Sequence, residues 1–209
     1  MKKVVVTSLP KTGTSTLAVM LRVLDYSVTG PNNASELGKL MADHSAFQDF
    51  PWCFEYELFD PKETIFLYLQ RTDEEWANSF ITSYGYNGNH LCERYWPGLK
   101  SIPENKQELI QKKKAHLTKL KKWSEMTAAE IKYIDLKNLS WEILCHHLNK
   151  EVPKDLFGRQ LNVPKVNTTS SRRLFRFKKL FRKLGLVFFK PDQMADMRTK
   201  FFKLLGRRL

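Results

Sequence analysis

The chain has 209 residues, 42% hydrophobic and 12% aromatic, which suits one folded domain and excludes wholesale disorder. Its net charge is +13, but residues 172–209 hold thirteen Lys and Arg against Asp192 and Asp196, so that segment alone carries +11 and the first 171 residues stand near balance at +2. No apolar run approaches the roughly 20 residues that span a bilayer. Cys53, Cys92 and Cys145 lack CxxC spacing, which argues against a disulfide framework or a zinc site and for buried, reduced thiols.

In chain order, MKKVVVTSLP has too short an apolar stretch for a secretory leader, so the reading is a mature, cytoplasmic start. Residues 3–8 are a β-branched run that predicts a buried parallel strand. A helical apolar pattern follows through Leu17, Met20, Leu21 and Leu24, and a short helix is expected over 34–42. FQDFPWCFEYELF predicts a buried turn leading into a short helix. ETIFLYLQR (63–71) predicts a second buried strand. Thr72 and Glu75 form a T-x-x-E capping box, which starts a helix at Asp73 with Trp76, Phe80 and Ile81 on its core face. Residues 84–103 read as a loop, 104–126 as a lysine-rich amphipathic helix, 129–137 as a third strand and 139–149 as a helix burying Trp141, Leu144, Cys145 and Leu148. A loop is expected over 150–171. Strand–helix alternation of this kind implies an α/β fold with a parallel sheet.

Two stretches carry chemistry. The first is Ser8-Leu9-Pro10-Lys11-Thr12-Gly13-Thr14-Ser15-Thr16, between a strand and a helix. A loop so placed gathers backbone N–H groups and the positive end of a helix dipole. Gly13 permits close approach of an anion, Lys11 adds a mobile cation, and Thr14, Ser15 and Thr16 add hydroxyls. The plain alternative is a Ser/Thr-rich helix cap. It is not the Walker A order, because Lys11 precedes the single glycine. The second is LYLQRTDEEWANSF, with Arg71 at a strand end and Ser79 two turns into the next helix. Ligands of open α/β sheets bind outside the strands' carboxyl ends, where a guanidinium and a hydroxyl can hold a second phosphate. The plain alternative pairs Arg71 with Glu74 or Glu75 and leaves Ser79 on the surface.

The order P-K-T-G-T-S, a D-x-P at Asp49-Phe50-Pro51, the R-x-x-E-W-x-x-S from Arg71 to Ser79 and the segment YIDLKNLSWEILCHHLNKEVP together resemble the PAPS-dependent sulfotransferases over roughly residues 3–170. The resemblance implies a three-layer, P-loop NTPase-like α/β domain over 1–171. It also implies transfer of a sulfuryl group from 3′-phosphoadenylyl sulfate (PAPS) to a hydroxyl or amine of a small-molecule or glycan acceptor, releasing adenosine 3′,5′-bisphosphate without a metal. Lys11, Thr12, Gly13, Thr14, Ser15 and Thr16 would then hold the 5′-phosphosulfate, and Arg71 with Ser79 the 3′-phosphate. Lys11 would stabilise the leaving phosphate. Where many members have H-x-P, this chain has Asp49, which becomes the expected base, with His44 and Glu55 as alternatives; His146 and His147 read as structural or exposed.

The chain departs from the family in lacking its R-K-G-x-x-G loop. Residues 167–173, NTTSSRR, are the expected substitute, with Arg172 or Arg173 on the 3′-phosphate. Residues 31–55 and 84–103, with Phe47, Phe50, Trp52, Tyr84 and Tyr86, are the expected acceptor lining. In 172–209, Leu174, Phe177, Leu180, Phe181 and Leu184 recur at helical spacing among basic residues. They read as a helix packed on the domain or, more sharply, as a helix contacting an anionic membrane surface, with nucleic acid the weaker alternative. A P-loop kinase and a non-catalytic relative that binds membranes or polyanions are the rival functions.

Overall fold

The computed structural model describes residues 1–32, 34–84, 90–155 and 158–164. The described elements are strand β1 (Lys3–Val6), helix α1 (Thr14–Val23), β2 (Val28–Thr29), α2 (Leu37–Asp43), β3 (Ala46–Phe47), β4 (Thr64–Gln70), α3 (Asp73–Tyr84), α4 (His90–Tyr95), α5 (Lys106–Thr127), β5 (Ile131–Asp135) and α6 (Trp141–Leu148). The strands form one parallel sheet in the order β2-β3-β1-β4-β5. The α/β class expected from strand–helix alternation is the class that forms. Because every pair is parallel, the carboxyl ends of all five strands share one rim and their amino ends share the other.

Contacts divide the chain into two compact units. The first comprises Met1–Thr14 and Tyr26–Leu139, the second Ser15–Asp25 and Ser140–Leu209. In the first unit, β1 and β4 are buried at nearly every residue, as continuous apolar runs require. Among the described residues, two apolar clusters lie within it. One gathers Leu9, Phe50, Cys53, Trp76, Phe80, Trp96, Leu109 and Ile110. The other gathers Val5, Phe47, Trp52, Tyr56, Phe66 and Leu120, with Trp123 packed against it. Helix α5 therefore feeds both clusters, Leu109 and Ile110 entering one and Leu120 the other.

In the second unit, Ser140 caps α6, its hydroxyl accepting from the Ile143 amide at 3.3 Å. Trp141, Leu144, Cys145 and Leu148 are its buried residues, as the spacing predicts. Cys53 and Cys145 are both buried, and burial pushes the Cys145 thiol up. His146 is exposed and His147 half-buried.

Two expectations need correction. The stretch 84–103 contains α4 and is not wholly loop: Glu93 to Tyr95 complete a helical turn that presents Tyr95 and Trp96 to the first cluster. Strands β2 and β3, two residues each, were not anticipated between 24 and 50. Among the described residues no helix is long and apolar enough to cross a membrane. The basic segment 172–209, the stretch 167–173 with Arg172 and Arg173, and Tyr86 lie outside the described residues.

Candidate anion site at the carboxyl rim

The loop leaving β1 is shaped by bonds that occupy its carbonyl oxygens. His116 Nε2 donates to Thr7 O at 2.7 Å, Thr12 Oγ1 to Leu9 O at 2.8 Å, Trp76 Nε1 to Pro10 O at 2.8 Å and Arg71 Nη1 to Lys11 O at 2.8 Å. In a trans peptide the C=O and N–H point opposite ways. Fixing the Pro10 and Lys11 carbonyls on Trp76 and Arg71 thus turns the next two amides away from those side chains. An anion site needs donors and is spoiled by acceptors, and this loop has committed four of its carbonyls, those of Thr7, Leu9, Pro10 and Lys11, to protein donors.

Lys11 itself sits at φ 72° and Gly13 at φ 100°, left-handed backbone that is costly for a lysine and free for a glycine. A Cβ on Gly13 would also run into Leu136 Cδ1. Thr12 is fully buried, and its hydroxyl is spent on Ser8 and Leu9 inside the loop. Thr14 is buried at the start of α1. Ser15 and Thr16 are half-buried in the first turn of that helix, where the amides have no intrahelical partner.

Arg71 follows β4 directly. Its guanidinium reaches the loop while its own carbonyl accepts from Lys113 Nζ at 2.6 Å. The same ammonium bonds Asp73 Oδ1 at 2.6 Å and lies 5.9 Å from the centre of the Trp76 ring. The Thr72 cap forms, the Glu75 amide donating to Thr72 Oγ1 at 3.3 Å, while the Glu75 carboxylate accepts from the Thr72 hydroxyl at 2.9 Å in place of the backbone N–H of a full capping box; α3 begins at Asp73. That hydroxyl, first among several causes, lowers the Glu75 carboxyl. Ser79 is half-buried on α3, and no hydrogen bond joins it to Arg71. Beside Arg71 lies a cleft of about 470 Å³ lined by Gln70, Arg71, Thr72, Glu75, Asp135, Leu136 and Lys137, at the carboxyl ends of β4 and β5.

Asp49 lies two residues beyond β3, also on the carboxyl rim, at φ 66°. Burial pushes its carboxyl up to about 6, against a lowering pull from the Phe50 amide, which donates to Oδ1 at 2.8 Å, and from the charge of nearby Lys11. The turn carrying it, which includes the cis Phe50–Pro51 bond, is braced from behind. Asn32 Oδ1 accepts from Trp52 Nε1 at 2.8 Å and from Thr29 Oγ1 at 3.0 Å, while Gln48 Nε2 donates to Gly30 O at 2.8 Å. Gly30 must be glycine, since a Cβ at its φ of 119° would collide with the Gln48 carbonyl.

The two alternatives to Asp49 have other engagements. The His44 ring is 3.2 Å from Leu40 O at the end of α2, and Glu55 accepts from the Tyr95 hydroxyl at 2.7 Å. Phe54 stacks on Tyr95 at 4.2 Å and on Phe50 at 5.5 Å within a core cluster, and Phe47, Phe50 and Trp52, expected to line an acceptor pocket, are fully buried.

Sequence reasoning thus brings Lys11, Asp49 and Arg71 to one rim, and it missed Lys113 and His116. Burial drives the His116 imidazole down to about 4, so near neutrality it is uncharged and its Nε2–H donates. The only signal in the sequence was their spacing, one turn apart between Ile110 and Leu120 on the buried face of α5. No protein-family model matches the chain, and no curated protein is significantly similar to it.

Proposed function

We propose that the chain is a sulfotransferase of P-loop NTPase-like fold that takes PAPS as donor. What supports this reading is one juxtaposition: the donor-rich loop after β1, the guanidinium after β4 and the carboxyl after β3 stand together at the sheet's carboxyl rim. Arg71 gives one N–H to Lys11 O, and among the described residues its other four donors make no hydrogen bond, although its charge reaches the Glu75 carboxylate and helps to lower it. The loop suits the 5′-phosphosulfate, with the α1 hydroxyls Thr14 to Thr16 following it in the chain. Arg71, with Ser79 beyond it, suits the 3′-phosphate. The adjoining cleft is of a size that holds a small ligand, and its Glu75 and Asp135 carboxylates can accept from ribose hydroxyls or a base amine.

In the reaction, the S–O bond to the 5′-phosphate breaks and a new S–O or S–N bond forms to the acceptor. The acceptor's proton passes to the Asp49 carboxylate, and the electron pair stays on the phosphate, whose charge Lys11 offsets. A base of pKa about 6 is mostly ionised at neutral pH and still close to the operating range.

Isothermal titration with adenosine 3′,5′-bisphosphate, AMP and ATP tests the reading. The expected result is micromolar binding of the bisphosphate, weakened at least about tenfold in Arg71→Ala, with AMP binding poorly in both proteins. A preference for ATP that Mg²⁺ enhances would replace the reading with the kinase one.

A further inference from the structure

We infer that Lys113 and His116 of α5 are positioning residues that set the separation between the two halves of the anion site. This rests on the reading of that site as one that holds both ends of a bisphosphate. Each residue reaches a backbone carbonyl at the carboxyl end of a different strand. His116 holds Thr7 O, where the loop departs from β1, and Lys113 holds Arg71 O, just past β4. They are one turn apart on a helix anchored in an apolar cluster on either side, by Leu109 and Ile110 before them and Leu120 after. Both are buried, at 7% and 5% exposure, so neither bond competes with water.

The clamp continues into the loop. Lys113 fixes the Arg71 backbone, Arg71 fixes Lys11 O, and the Trp76 ring under the Lys113 ammonium fixes Pro10 O. Lys113 has its own counterion in Asp73, with Lys114 3.6 Å from that carboxylate's other oxygen. β1 and β4 are already paired neighbours, with the Thr7 amide donating to Leu67 O at 2.9 Å, so the helix braces the segments just past that pairing, which carry the two phosphate-binding groups. A ligand that bridges both groups feels the spacing; a ligand that needs only the loop does not.

The test uses two probes on the full chain, adenosine 3′,5′-bisphosphate and inorganic pyrophosphate, with Lys113→Met, His116→Phe and the conservative Lys113→Arg. The expected result is bisphosphate affinity about tenfold weaker in the first two variants, pyrophosphate affinity within about twofold, and partial recovery in Lys113→Arg. Equal weakening of both probes, or of neither, overturns the clamp. Amide hydrogen exchange on the same proteins, with circular dichroism as the check on folding, needs no ligand. Faster exchange confined to 8–13 and 71–76 supports the clamp, and unchanged exchange there refutes it. If the wild-type protein binds pyrophosphate but no bisphosphate, the donor reading fails, and exchange alone decides whether α5 spaces the two strand ends.

Discussion

Asp49 bears two costs in the folded chain: left-handed backbone at a residue with a Cβ, and a carboxyl held partly out of water. Asparagine tolerates the same backbone and carries no charge. Asp49→Asn is therefore expected to raise stability at pH 7 by about 2 kcal/mol, a gain that disappears below pH 4 where the wild-type carboxyl is protonated in both states. Denaturant unfolding at the two pH values reads it directly. The same substitution removes the proposed base, so turnover of any accepted acceptor should fall by roughly a hundredfold or more while bisphosphate affinity holds. Undiminished turnover would remove Asp49 from the chemistry and leave its carboxyl as a turn cap on the Phe50 amide. Residues of this kind were legible early because the D-x-P stretch is local. Lys113 and His116 were not, since their partners are main-chain oxygens 42 and 109 positions away, and a backbone atom leaves no mark in sequence.

Among elements, the loop between β1 and α1 depends on one residue without a side chain. Gly13→Ala meets both a positive φ and the Leu136 side chain, so it should cost about 1–3 kcal/mol in a urea midpoint. Adding Leu136→Ala should return only the part owed to contact, because the dihedral strain remains. Full recovery in the double variant would mean that the φ of this loop is easily changed. The long elements were readable from periodicity and end signals: β4 from its unbroken apolar run, α3 from its T-x-x-E start signal, α6 from the Trp141, Leu144, Cys145, Leu148 spacing. β2 and β3 were not, because two residues cannot display an alternation, and they pair only because β1 offers an edge to β3 and β3 to β2. Helix α4 was hidden by the Gly and Pro residues around it, although its last residue Tyr95 and the Trp96 that follows it are the aromatic anchors that hold it.

At the scale of the molecule, two of the buried titrating groups among the described residues affect stability in opposite directions. His116 is neutral when folded, with a pKa of about 4 against 6.5 when unfolded, so its contribution is intact above pH 6.5 and is lost as pH falls toward 4. Asp49 runs the other way, with a folded pKa of about 6 against 3.8, so its contribution is present below 3.8 and lost as pH rises through 6. Between pH 4 and 6 the two slopes nearly cancel. Thermal melts across that range should show this pair contributing little net slope in the wild type. Relative to it, Asp49→Asn should lose stability as pH falls, and His116→Gln should gain it. Parallel profiles for all three proteins would show that neither group titrates as its burial requires. The arrangement of the sheet has a practical corollary as well. With Lys11, Asp49 and Arg71 all on the rim where the strands finish, the opposite rim, where Lys2 Nζ donates to Lys62 O and Asp60 closes its own turn, is the end of the sheet for attaching a dye, a tether or a sensor surface away from the proposed site.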